Sequence, residues 1–169
     1  KTEIVKLLLE YGADVNSTNN YGNTALMWAS EEGQTNIVRL LLANGAEVNI
    51  QDYYGRTALY LASLFGHTEI VRLLLANSAN VNIVGQHDYT ALMLASINRH
   101  EEVVKLLLAN GADVNIQGYH GWTVLMWASE EGHTEIVRLL LLEAGANPNS
   151  KTTSDQTALQ FASRTGRKN

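Results

Sequence analysis

The chain has 169 residues, with 17 acidic and 12 basic side chains, a formal net charge of −5 and no cysteine. The acidic balance speaks against nucleic acid, because a phosphate-tracking surface needs clustered Lys and Arg. Without cysteine there are no disulfides, thiolate chemistry or cysteine-based metal sites. No apolar run approaches the ~18 residues of a membrane span, so no membrane partner is expected.

In chain order, residues 1–18 carry Ile4, Val5, Leu7, Leu8 and Leu9, which read as the second helix of a partial unit. A full unit follows at 19–51. Thr24 opens a short helical phrase ending at Glu32, in which Leu26, Ala29 and Ser30 share one face at ~100° per residue. Gly33 stops this helix. Thr35 is expected to cap the next, where Ile37, Val38, Leu40, Leu41 and Leu42 give a wide apolar stripe. Gly45 ends that helix, and Asp52-Tyr53-Tyr54-Gly55 has a turn signature.

The same phrase returns at 52–84, 85–117 and 118–151, and 152–169 reads as the first helix of a further partial unit. The threonines Thr24, Thr57, Thr90 and Thr123 are 33 residues apart, and Thr157 follows after 34. Such a period means stacked helix pairs, each burying its apolar face only against its neighbours. The expected fold is an all-α solenoid, one array over residues 1–169. Three positions break the pattern. Ser78 stands where other units have Gly12, Gly45, Gly111 and Gly145; Asp88 stands where others have Gly22, Gly55 and Gly121; and Arg99 replaces the loop glycine.

Gly55-Arg56-Thr57-Ala58-Leu59, Ala62-Ser63, Gly66-His67, Glu69-Ile70-Val71 and Leu73-Leu74-Leu75 fall at the spacing of the ankyrin repeat. The chain resembles that family over essentially its whole length. The resemblance implies an antiparallel helix pair on an extended turn and a protein–protein interaction function. The absence of cysteine fits a reducing, cytoplasmic location, and the apolar edges of the partial units at both ends lead us to expect flanking ankyrin repeats or a partner that covers them. The resemblance also implies candidate sites of asparagine hydroxylation at Asn16, Asn49, Asn82, Asn115 and Asn149. The chain departs from the family phrase Thr-Pro-Leu-His. It has Ala or Val for the Pro and Met, Tyr or Gln for the His.

Little here points to catalysis. In the family, His67, His100 and His133 sit at a structural loop position. His87 and His120 occupy equivalent turn positions, too few for a metal site. Glu31-Glu32 and Glu130-Glu131 are sequence neighbours that a short exposed helix leaves solvated. There is no Gly-rich phosphate loop, nucleophile elbow or metalloprotease helix. No enzyme activity, metal or cofactor is expected.

The candidate binding surface is a row with one side chain per unit: Trp28, Leu61, Leu94, Trp127 and Phe161. On the helix projection Trp28 lies opposite Leu26, Ala29 and Ser30. The resemblance places this row toward the concave groove, beside the turn residues Tyr21, Tyr54, Arg56, Tyr89, Tyr119 and Trp122. Glu31 and Glu130 give the ends an acidic flank, and Phe65 adds to an apolar middle. A protein or peptide partner with an apolar centre and basic ends matches this pattern. Pure packing between units is the competing account of the row. A stiff spacer in a larger protein, or an inhibitor that occludes an enzyme, are the alternative functions.

Overall fold

The computed structural model describes residues 1–165, and Arg167 and Lys168, which the sequence groups with Arg164 as a basic chain end, lie outside the described residues. Among the described residues, first helices form at Ala25–Glu31 (α2), Ala58–Phe65 (α4), Ala91–Ile97 (α6), Val124–Glu130 (α8) and Ala158–Thr165 (α10). Second helices form at Thr2–Glu10 (α1), Thr35–Ala43 (α3), Thr68–Ala76 (α5), Glu101–Ala109 (α7) and Thr134–Leu142 (α9). First helices pack on first helices and second on second along the array, and each pair packs as a hairpin.

The repeated threonine starts each first helix. Thr24 is extended, and its hydroxyl accepts the N–H of Met27 at 3.2 Å. Thr57, Thr90 and Thr123 do the same for Tyr60, Met93 and Met126. Such a cap satisfies one of the donors that a helix start leaves open. In the last unit Gln160 reaches back instead, and its Oε1 accepts the N–H of Thr157 at 2.8 Å.

The second helices begin differently from the sequence expectation. Thr35 lies inside α3; Gln34 is the capping residue and makes no side-chain cap bond. The tight turn formed by the Thr35 N–H and the Gly33 carbonyl, 3.0 Å apart, carries the chain into the helix before threonine can cap it.

The core runs between the two layers. Leu26, Leu59, Leu92 and Leu125 from the first helices meet Leu41, Leu74, Leu107 and Leu140 from the second, all buried. Two side-chain ladders fix the stacking register. His67, His100 and His133 each place Nε2 near a carbonyl oxygen 36 residues back, of Glu31 (2.9 Å), Leu64 (3.1 Å) and Ile97 (3.0 Å). A carbonyl only accepts, so Nε2 is the protonated nitrogen. Asn16, Asn49 and Asn82 use both ends of the amide on the next unit; Asn49 accepts from the Asn80 N–H at 2.7 Å and donates to the Ser78 carbonyl at 3.3 Å. Asn115 accepts from Asn147 at 3.1 Å, next to the unit with the extra residue.

The three substituted glycine positions keep the glycine backbone. Ser78, Asp88 and Arg99 have φ of 64°, 58° and 59°. At the start of the array, α1 buries none of its residues, and Ile4, Leu7 and Leu8 face solvent.

Candidate partner-binding face

The five-residue row is not one open surface. Trp28 is 51% exposed, whereas Leu61 (1%), Leu94 (6%) and Phe161 (1%) are buried. This corrects the expectation that Leu61, Leu94 and Phe161 are available to a partner. Leu61 and Leu94 form a cluster with Met27 and Tyr60, against which Ile50, Leu64 and Tyr89 pack. Trp122 covers Phe161, with ring centroids 4.1 Å apart. Leu61, Leu94 and Phe161 are closed over by the neighbouring unit, which a single-helix projection leaves out.

The turn tips are more accessible. Tyr21, Tyr54 and Tyr119 are exposed, as is Phe65 at the end of α4. Arg56 is not a free contact: its Nε donates to Asp52 Oδ2 at 2.7 Å, and its guanidinium lies 5.3 Å from the Tyr54 ring centroid. The buried Asp52 also accepts the N–H groups of Tyr54 and Arg56, each at 2.9 Å. Arg56 therefore braces its turn. Glu31 is half-buried, and its backbone carbonyl is the one that His67 uses.

The aromatic side chains converge in the second half of the array. Tyr89 lies 5.5 Å from Trp127, Trp127 lies 4.2 Å from Trp122, and Trp122 lies 4.1 Å from Phe161, centroid to centroid. Three units thus share one aromatic ladder. Tilted rings at such separations gain more than their buried area alone. Burial raises the Tyr89 phenol above its ordinary pKa. Arg164 closes the ladder: its guanidinium lies 5.4 Å from the Phe161 centroid, and its Nη2 donates to Glu130 Oε1 at 2.9 Å. Trp127 Nε1 and Glu130 Oε2 are buried without a hydrogen-bond partner among the described residues.

Sequence reasoning placed Tyr89, Trp122, Trp127, Phe161 and Glu130 in one surface but missed Arg164. It also missed that the turn aromatic of one unit stacks on the row residue of the next. A signal was present, since Tyr89 precedes Trp127 by 38 positions and Trp122 precedes Phe161 by 39, the longer unit adding one.

Among the described residues no group of three His, Asp or Glu side chains could hold a metal ion. Among the described residues no helix is long and apolar enough to cross a membrane.

Helix hairpins stacked in two layers, joined by left-handed turns and stitched by histidine and asparagine ladders, define an all-α helical-repeat solenoid. The family description "Ankyrin repeats (3 copies)" matches residues 1–52, 50–118, 86–152 and 117–169, and the chain belongs to the ankyrin-repeat family. No curated protein gives a significant match to the sequence. Ankyrin repeats are generally protein–protein interaction modules and typically non-enzymatic.

Proposed function

We infer that this array recognises a protein or peptide partner through the face carried by its first helices and turn tips. The observation that carries the reading is the Tyr89–Trp127–Trp122 run of aromatic side chains, with Trp28 exposed at the position equivalent to Trp127 three units away. Large aromatics with polar edges are what interface hot spots favour. Three layers at ~8–10 Å each separate the two tryptophans by ~24–30 Å. An extended segment of roughly 8–9 residues covers that span at ~3.3 Å per residue. The exposed turn residues Tyr21, Tyr54 and Tyr119, and Phe65 at the end of α4, are candidates for further contacts.

The test is affinity capture from a lysate, followed by titration of the captured partner. Wild type is compared with Trp28→Ala, Trp127→Ala and the opposite-face control Arg72→Ala, each first shown to be folded by circular dichroism. Loss of about 2 kcal/mol or more on truncating a tryptophan, with the control unchanged, supports the reading. A partner lost only with Arg72→Ala overturns it and moves the contact to the second helices.

A further inference from the structure

The phrase Met-Trp-Ala-Ser-Glu-Glu-Gly occurs twice, at residues 27–33 and 126–132. The two copies sit in different surroundings. Beside the first, the turn position is Asn23 and the row residue of the next unit is Leu61; beside the second, these are Trp122 and Phe161. Only the second copy therefore has aromatic walls, with Trp122 lying 4.2 Å from Trp127 and 4.1 Å from Phe161.

A guanidinium already lies at this corner. Arg164 reaches over the Phe161 ring and donates to Glu130 Oε1 at 2.9 Å. Glu130 Oε2 is buried and has no hydrogen-bond partner among the described residues. The Arg164 side chain is 61% exposed, so the pair holds it only weakly. A carboxylate with one oxygen used and one unused, three residues after Trp127 in α8, is left half-satisfied by its internal partner.

We propose that this corner is an arginine-binding subsite, in which a guanidinium from the partner displaces Arg164 from the Phe161 end of the Trp127–Trp122–Phe161 ladder and takes both oxygens of Glu130. Guanidinium fits better than ammonium. It is planar, weakly hydrated, stacks on aromatic faces and presents a fork that matches a carboxylate bidentately. Arg164 is then a built-in competitor, and the identical phrase at Trp28 is a natural control without the walls. The inference rests on the groove reading for the source of the arginine, but its test uses defined peptides and needs no captured partner.

The experiment titrates hexa-arginine, hexalysine and hexaglutamate peptides into the chain and follows the indole N–H signals of Trp28, Trp122 and Trp127 by NMR. Hexa-arginine should shift Trp122 and Trp127 at lower concentration than Trp28, and more tightly than hexalysine does. Hexaglutamate should leave all three unmoved. Glu130→Gln should weaken hexa-arginine binding at Trp122 and Trp127 roughly tenfold or more. Arg164→Gln should tighten it roughly two- to fivefold, the range an exposed ion pair can withhold. Arg72→Gln removes the same charge elsewhere and should not tighten it. Equal binding of the two cationic peptides, or equal tightening by Arg164→Gln and Arg72→Gln, would reduce the effect to net charge and overturn the subsite. A captured partner that needs Trp127 but ignores Glu130→Gln would also overturn it, leaving the groove reading in place.

Discussion

The imidazole of His100 fills the place where Gly66 would carry a side chain: a Cβ built on Gly66 would stand 2.5 Å from His100 Nδ1. Gly66 also has φ of 72°, in the left-handed region. At this junction the histidine and the loop glycine act together, with the ring lying on the bare glycine backbone while Nε2 reaches the Leu64 carbonyl. Gly66→Ala should cost about 1–3 kcal/mol from backbone strain, with the clash added. In a His100→Ala background the same substitution should cost less, because only the backbone part remains. Chemical denaturation of the four variants checks this, and equal costs in both backgrounds would show that ring and glycine are uncoupled.

The start of the array should open first. No residue of α1 is buried, whereas Val71, Leu74, Val104 and Leu107 in α5 and α7 are fully buried. Local opening tracks the buried apolar contacts that must be broken. Backbone amides of α1 should exchange with solvent roughly tenfold or more faster than those of α5 and α7. Equal protection along the chain would mean that α1 is held by contacts outside its apolar face.

Ser78 has φ of 64° where other units place glycine. A side chain in this region costs about 1–2 kcal/mol. Its backbone carbonyl accepts from Asn49 at 3.3 Å, a bond that glycine keeps. Ser78→Gly should therefore raise the melting temperature, corresponding to a gain of about 1 kcal/mol. A lower melting temperature would show that the extra freedom of glycine in the unfolded chain outweighs the relief.

The period of the threonines and glycines made the helix order legible, because each glycine position imposes a backbone region that shows even where Ser78, Asp88 or Arg99 replaces it. The candidate face was less legible. A wheel drawn for α4 or α6 puts Leu61 and Leu94 opposite the core, which is correct for one helix. It says nothing of Tyr60 and Tyr89, which pack with them. Arg56 was misread for a similar reason: its partner Asp52 is four residues away in the same turn, and only the folded turn brings them to 2.7 Å. The ladder from Tyr89 to Phe161 depends on contacts between units, at a spacing longer than the repeat itself.

The first position of α2 can take the proline that the family phrase carries. Thr24 is extended, at φ −93° and ψ 166°, the region that a residue before proline prefers. Ala25 is exposed, whereas Ala58, its counterpart in α4, is 1% exposed and has no open side for a ring. Ala25→Pro should stabilise by about 0.4–1 kcal/mol by restricting the unfolded chain. Ala58→Pro should gain less or destabilise. Urea midpoints of the two variants decide it, and a loss at Ala25 would show that its N–H has a partner in solution.

Tyr60 gives the array an alkaline limit. Its hydroxyl donates to the Gln86 carbonyl at 3.2 Å, and its ring lies so close to Gly85 that a Cβ there would stand 2.7 Å from it. Burial raises its pKa above the ordinary phenol value; Arg56 opposes the shift, and Tyr89 and Asp52 add to it. Tyr89 is raised in the same direction by burial. Because the folded pKa lies above the unfolded value of ~10, the folded chain holds the proton more tightly. The resulting stability is fully present below pH ~10 and is lost as pH rises through the folded pKa. The wild-type melting temperature should therefore fall above pH ~10. Tyr60→Phe should lie lower at neutral pH by about 0.5–1.5 kcal/mol, for the lost hydrogen bond. The gap should then narrow as pH rises, because phenylalanine has no proton to lose. Melting curves between pH ~8 and ~11 test this. Parallel curves for the two proteins would show that the buried phenol does not set the alkaline limb.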